Sequence, residues 1–142
     1  MPAVTACAEV FLNPPIANLG HRGIAKTAKM VGGWRERAAD PERDLPQAAL
    51  LMERAGTGGA LFRNLYRDFL AECVGLIGGD RLRTGHALYA EAAGLWTEVA
   101  ALVGRAGAPD GQARLDEAAS LLGELARIER EAVQVLSRLE ER

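Results

Sequence analysis

A glycine-rich junction precedes the most apolar helical stretch of the chain. Residues 56 to 59 read Gly-Thr-Gly-Gly, and an arginine and a tyrosine follow within two helical turns. Glycines before a helix leave its first backbone N–H groups uncovered, and together with a guanidinium these groups can bind a phosphate or a carboxylate. We therefore consider a ligand or anion site at this junction. Its residues are Gly56, Thr57, Gly58, Gly59, Arg63 and Tyr66.

The same glycines also have a purely structural interpretation. A residue without a side chain allows a tight turn and lets a neighbouring helix approach closely. The lysine and the serine or threonine of a phosphate-binding loop do not follow Gly59. The sequence therefore favours close packing at the junction, with the anion site as the alternative.

Two further groups of residues could act on a partner or a ligand. Arg22, Lys26 and Lys29 share one side of a predicted helix and could dock an acidic carrier protein, although three such cations are also common on a solvated face. Four aromatic residues could line a pocket for an acyl or sugar-like group, although each lies on an apolar stripe that favours core packing. They are Trp34, Tyr66, Tyr89 and Trp96.

The residues that most often act in catalysis form no recognisable set. Cys7 and Cys73 lie inside apolar stretches, and neither His21 nor His86 is close to them in sequence. A cysteine nucleophile requires a nearby base and a lowered pKa, so we assign no catalytic residue. Paired carboxylate and histidine motifs are missing as well. We accordingly propose no metal site and no cofactor.

Composition and charge argue against several classes of protein. The net charge of −2 gives no general attraction to nucleic acid or to an anionic membrane surface. No apolar run approaches the roughly 20 residues of a membrane span. With only two cysteines there is no support for a disulfide framework. We expect a cytoplasmic protein that binds neither nucleic acid nor membranes.

Apolar periodicity predicts helices throughout. Alanine and leucine dominate the apolar residues, as is typical of packed helices. We expect an all-α, single-domain bundle of about five or six helices over residues 1–142, with a long C-terminal helix. The predicted helices cover about residues 3 to 12, 22 to 39, 46 to 55, 59 to 77, 80 to 103 and 112 to 141.

Three details of these helices can be tested directly. Gly32 and Gly33 predict a kink or a close backbone approach within the second helix. The helix over 59 to 77 is apolar around about half its circumference, which predicts a central helix with two neighbours. Asp80 is placed to cap the helix that follows.

The last helix, over 112 to 141, has an apolar seam with heptad spacing. The seam can pack inside the bundle, which its short length favours, or it can form a homodimer or bind a partner helix. Its residues are Leu121, Leu125, Ile128, Ala132, Val135 and Leu139.

Several of these motifs occur together in one known family. Over roughly residues 3 to 104, the chain resembles the helical C-terminal region of the butirosin biosynthesis protein H family. A Gly-x-Gly-Gly alone would be weak, but its order relative to a preceding turn and two tryptophan-bearing helices makes the resemblance more specific. The residues that carry the resemblance are 18 to 24 (NLGHRGI), Trp34, 56 to 63 (GTGGALFR), Tyr66, Phe69, Leu70, Tyr89 and 95 to 97 (LWT).

The resemblance implies an association with acyl transfer. In that family an N-terminal domain with a cysteine-protease-like site moves an acyl group from an acyl carrier protein to an amine of an aminoglycoside. These 142 residues leave no room for that domain, so its nucleophile cannot be assigned to any residue here. The resemblance thus implies a noncatalytic helical module of such an acyltransferase or a related biosynthetic enzyme.

In that role the chain would supply part of a substrate pocket or a docking surface. Its partner would be a separately encoded catalytic domain or an acyl carrier protein. Two alternatives remain. One is a small stand-alone enzyme with its site near Gly56 to Gly59, using Arg63, Tyr66 and either His21 or His86. The other is a homodimeric interaction protein built on the last helix.

Overall fold

Seven α-helices and one 3-10 turn make up the regular structure of the described residues. The computed structural model describes residues 2–55 and 59–139. The elements are α1 (Pro2–Leu12), α2 (Gly20–Met30), a 3-10 turn (Val31–Gly33), α3 (Trp34–Arg37), α4 (Pro41–Arg54), α5 (Ala60–Ile77), α6 (Asp80–Arg105) and α7 (Gln112–Leu136). The prediction of an all-α bundle with a long last helix is confirmed.

Helix α6 forms the centre of the bundle. It packs against α7 on one side and against α5 and α4 on others, while α7 also covers α2 and α1. Trp96, Val99 and Val103 are buried in the larger of two core clusters, and Leu82 and Tyr89 are buried in the smaller one. The two clusters are continuous because Phe11 and Leu88 pack against both.

The prediction that the helix over 59 to 77 is central is wrong. Helix α5 lies at the edge of the bundle and packs mainly on α6, with a small contact to α4. Large apolar side chains on its other side are exposed: Phe62, Leu65, Phe69, Leu76 and Ile77. A wide apolar arc has the same sequence pattern whether or not a second helix covers it. Periodicity therefore predicted the helix correctly and its position incorrectly.

Two predicted helix starts also need correction. Helix α4 begins at Pro41, not near residue 46, because the Asp40 carboxylate caps it by accepting a hydrogen bond of 3.3 Å from the Arg43 backbone N–H. Asp80 does not cap α6. Gly79 holds the capping position, and Asp80 is the first helical residue, where its carboxylate pairs with Arg83 at 2.7 Å.

The glycine pair of the second predicted helix interrupts it as expected. The chain tightens into the 3-10 turn at Val31–Gly33 and then resumes as the single turn of α3. The side chain of Gln112, at the start of α7, donates a hydrogen bond of 2.9 Å to the Gly32 carbonyl. The break in α2 therefore coincides with the place where α7 begins to pack against it.

The apolar seam of the last helix is used inside the bundle. Leu125, Ile128 and Ala132 have no exposed surface. The helix ends at Leu136, earlier than predicted, and residues 140–142 lie outside the described part of the chain. A dimer through this seam would need the apolar stripe that the bundle already covers, so the fold supports the internal interpretation.

Candidate functional site

A pocket lies between the first helix and the edge helix. Its volume is about 420 Å³, and its walls are mainly apolar. Cys7 and Phe11 line it from α1, and Tyr89 lines it from α6. Helix α5 contributes the opposite wall with Phe62, Arg63, Leu65, Tyr66 and Phe69. Three of the exposed apolar side chains of α5, Phe62, Leu65 and Phe69, thus border the pocket.

A buried ion pair lies beside this pocket. The Arg63 guanidinium makes two parallel hydrogen bonds to the Glu129 carboxylate, Nε to Oε1 at 2.9 Å and Nη2 to Oε2 at 3.0 Å. The Glu129 side chain has no exposed surface and that of Arg63 has little. Such a bidentate arrangement fixes the guanidinium in one plane and neutralises its charge locally. Arg63 therefore presents no free positive charge to the pocket.

Trp96 completes this buried cluster. Its indole Nε1–H donates a hydrogen bond to the same carboxylate oxygen that Arg63 Nε contacts. The Arg63 guanidinium carbon lies 4.9 Å from the centre of the Trp96 ring, a cation–π contact. Burial by itself would lower the pKa of Arg63, but the Glu129 carboxylate outweighs this effect and raises it. Arg63, Trp96 and Glu129 thus tie together α5, α6 and α7.

These contacts bear on the anion site predicted at the glycine junction. Arg63 and Tyr66 do lie together at the pocket, whereas Gly56, Thr57 and Gly58 lie outside the described residues. Gly59 is buried against α4, where a Cβ atom would lie only 2.9 Å from the Met52 Cβ. At Gly59 the geometry favours close packing. The anion site as a whole stays a prediction.

Two tyrosines form the polar part of the pocket. The rings of Tyr66 and Tyr89 meet edge to face, with their centroids 4.7 Å apart. Burial is the main reason why the pKa of each phenol is raised, so both hydroxyls are neutral at physiological pH. Neither hydroxyl makes a hydrogen bond to another residue in the part of the chain that the structure describes. Each is therefore able to donate one to a ligand.

The four aromatic residues considered as a ligand pocket do not share one. Tyr66 and Tyr89 line the cavity, whereas Trp96 is buried beside it under the Arg63 guanidinium. Trp34, on α3, packs against the larger core cluster. Of these four aromatic residues, Tyr66 and Tyr89 are thus the ones placed to contact a ligand in this pocket.

The cysteines and histidines are distributed differently. Cys7 is exposed at the pocket, and Cys73 is buried in the smaller core cluster. His21 lies against Phe11 with ring centroids 6.3 Å apart, and its pKa is lowered by burial, by Arg130 and by Arg22. Neither His21 nor His86 is among the residues that line the pocket. Within residues 2–55 and 59–139 no hydrogen bond joins a cysteine to a histidine.

The predicted basic surface is present on α2. Arg22, Lys26 and Lys29 are all exposed, and Lys26 Nζ donates a hydrogen bond of 3.2 Å to Asn18 Oδ1. This arrangement leaves the surface accessible to an acidic partner. Its role in docking stays a prediction.

Two searches of the described residues gave negative results. In the ranges 2–55 and 59–139, no three histidine, cysteine or carboxylate side chains converge as metal ligands. Over the same ranges, none of the helices combines the length and the apolar character that crossing a bilayer requires.

Glu129 is the residue of this site that the sequence analysis missed. It follows Ile128 on the apolar stripe of α7, four residues after Leu125 and three before Ala132. A carboxylate on a buried stripe costs free energy unless a cation and hydrogen-bond donors satisfy it. That position is the available signal, but nothing in the sequence indicates that Arg63, 66 residues away, is its partner.

Comparison with known proteins identifies a family. Neither the curated proteins nor the solved structures include a match to the chain. A family model described as a domain of unknown function, DUF4872, matches residues 1–136. This match does not test the resemblance to the butirosin biosynthesis protein H family, which stays a prediction. Because the model covers nearly all of the sequence, the chain belongs to the DUF4872 family.

Proposed function

We propose that the chain is a noncatalytic helical module that works with a butirosin H-like acyltransferase or a related enzyme of specialised metabolism. It contributes part of a substrate pocket or a surface for docking an acyl carrier protein. The resemblance in sequence supports the choice of partner. The uncovered face of α5 supports the docking itself, and this is the observation on which the proposal mainly rests.

The face of α5 has the properties of an interaction surface. Leu65 is 55% exposed and Leu76 is 86% exposed, and three further large apolar side chains on the helix are also exposed. Large apolar side chains exposed together on one helix often mark a site of protein or ligand binding. A folded domain packed against this face would cover the part of the apolar arc of α5 that α6 and α4 leave exposed.

The charges of α2 suit the second partner in the proposal. Arg22, Lys26 and Lys29 form an exposed basic surface on α2. Complementary charge steers association and increases its rate, especially at low ionic strength. An acidic carrier protein would therefore approach this surface, while the catalytic domain would cover α5. Both cysteines are free thiols, which agrees with the cytoplasmic location that we propose for the complex.

A binding experiment tests the proposal. The purified chain is mixed with a separately encoded butirosin H-like catalytic domain, and complex formation is measured by size-exclusion chromatography with light scattering. We expect a complex that Leu76→Glu weakens at least ten-fold, because a carboxylate would be desolvated in the apolar interface. Leu50→Glu, on the exposed part of α4, is the matched control and should bind like the wild type.

The same experiment includes an acyl carrier protein. Lys26→Glu should weaken its binding without affecting the catalytic domain. Failure of the wild-type chain to bind either partner would contradict the proposed function.

The stand-alone enzyme is the second candidate, because the pocket does bring Arg63 and Tyr66 together. We rank it lower for two reasons. The Arg63 guanidinium is engaged by Glu129, and the two histidines that this alternative invokes are not among the lining residues.

A further inference from the structure

The pocket between α1 and α5 has the size and lining of a ligand site. Pockets for small molecules commonly have volumes of about 300 to 1,000 Å³, apolar walls and a few polar groups. The 420 Å³ of this pocket fall in that range. Ala8, Phe11 and Val133 add further apolar wall from α1 and α7. The lining therefore selects for an apolar group.

The electrostatics of the pocket disfavour a charged ligand. Arg63 is the charged side chain among the described lining residues, and its bidentate pair with Glu129 leaves no net charge there. A carboxylate or phosphate entering apolar walls would lose hydration without a free cation to offset the cost. An ammonium group would likewise find no free carboxylate among the described lining residues. The ligand that fits best is neutral.

The two tyrosine hydroxyls define one further requirement. Each is neutral, lies at the pocket and has no hydrogen-bond partner in the described structure. Neither hydroxyl is among the fully buried polar atoms that lack a partner, so a ligand in the pocket can reach them. A ligand atom that accepts a hydrogen bond, such as a carbonyl oxygen, would provide that partner. The pocket thus combines an apolar wall with a neutral donor.

We propose that this pocket binds a neutral molecule with an apolar chain or ring and a carbonyl group, whose oxygen accepts a hydrogen bond from Tyr66 or Tyr89. This inference deepens the substrate-pocket part of the proposed function and rests on it for the ligand's role as a substrate. Binding itself is a property of the chain alone.

Displacement of a neutral fluorescent dye provides the test. N-phenyl-1-naphthylamine is titrated into the purified chain, and octanamide or octanoate is then added as competitor. The two competitors have the same alkyl chain and differ in the charge of the head group. We expect octanamide to displace the dye at concentrations at least ten-fold lower than octanoate. No dye binding, or equal displacement by both competitors, would overturn the inference.

Substitutions locate the binding to this pocket. Cys7→Trp places a large side chain in the cavity and should weaken dye binding at least ten-fold, whereas Leu76→Trp, on α5 outside the cavity, should not. Loss of one neutral hydrogen bond corresponds to roughly a five-fold change in affinity. Tyr66→Phe or Tyr89→Phe should therefore weaken octanamide binding by about that factor and leave dye binding unchanged. Thermal unfolding of each variant verifies that it is folded.

The results of these experiments distinguish the ligand site from the proposed function. If neither tyrosine variant changes octanamide binding, or if Cys7→Trp binds the dye normally, the assigned ligand site is wrong. A chain that binds the catalytic domain but not octanamide would overturn this inference and leave the proposed function standing. A chain that binds octanamide but no protein partner would establish the ligand site and overturn the proposed function.

Discussion

Helices α5 and α7 have similar apolar patterns and very different surroundings. On α7, Leu125 and Ile128 have no exposed surface, and the seam packs against α6, α2 and α1. On α5, Leu65 and Leu76 are mostly exposed, and α6 is the main neighbour. A stripe of apolar residues indicates that one side of a helix is buried, but it does not indicate which helix or which other molecule covers that side.

Their charged residues show the same difference. Glu129 on α7 is fully buried and is satisfied by Arg63 and Trp96. Glu131, two residues later, pairs with Arg127 at 3.3 Å on the surface. Because it is packed in the interior, Glu129 links three helices through Arg63 and Trp96, whereas Glu131 forms an exposed ion pair with Arg127. The comparison can be tested with matched variants.

Leucine truncation should show the largest contrast between the two helices. Leu125→Ala should lower the free energy of unfolding by about 4 kcal/mol, since it removes buried contacts and leaves a cavity. Leu65→Ala should lower it by less than about 1 kcal/mol, because the side chain is already mostly exposed. Urea denaturation measures both. Equal losses would mean that α5 is covered within this chain and that the comparison fails.

Removal of the buried carboxylate should have the next largest effect. Glu129→Ala should cost about 3 kcal/mol, because Arg63 and Trp96 lose the acceptor to which they donate inside the bundle. Glu131→Ala is the control and should cost less than about 0.5 kcal/mol, as is usual for an exposed pair. Thermal and urea unfolding of the two variants check this. A Glu129→Ala variant as stable as the control would show that the buried pair is energetically neutral.

Two glycines of α6 should give the smallest individual effects, with opposite signs. A Cβ at Gly85 would lie 2.4 Å from Leu136 Cδ2, so Gly85→Ala should cost about 1 to 2 kcal/mol through overpacking. A Cβ at Gly94 would meet no atom within 4 Å, so Gly94→Ala should gain up to about 1 kcal/mol of helix propensity. The melting temperatures measure both changes. Stabilisation by both substitutions would show that α6 and α7 approach less closely at Gly85 than described.

Local rules predicted the elements better than their relationships. The glycine and proline breaks located most helices because these residues disrupt helical hydrogen bonding wherever they occur. The start of α4 differs from the prediction because Asp40, in the segment between two predicted helices, caps the helix. At the site, the sequence identifies Arg63 and Tyr66 but misses the exposure of Cys7 at the pocket and the burial of Glu129. Both errors concern residues whose surroundings are set by distant helices.

The sequence by itself determined that the chain is an all-helical bundle, because helix periodicity and its breaks are properties of neighbouring residues. Only the tertiary structure decided that α6 rather than α5 is central, that Arg63 is neutralised by Glu129, and that a pocket opens between α1 and α5. These features depend on contacts between residues far apart in the chain. Which apolar faces pack against each other depends on all the helices together, so the sequence of one helix does not determine these contacts.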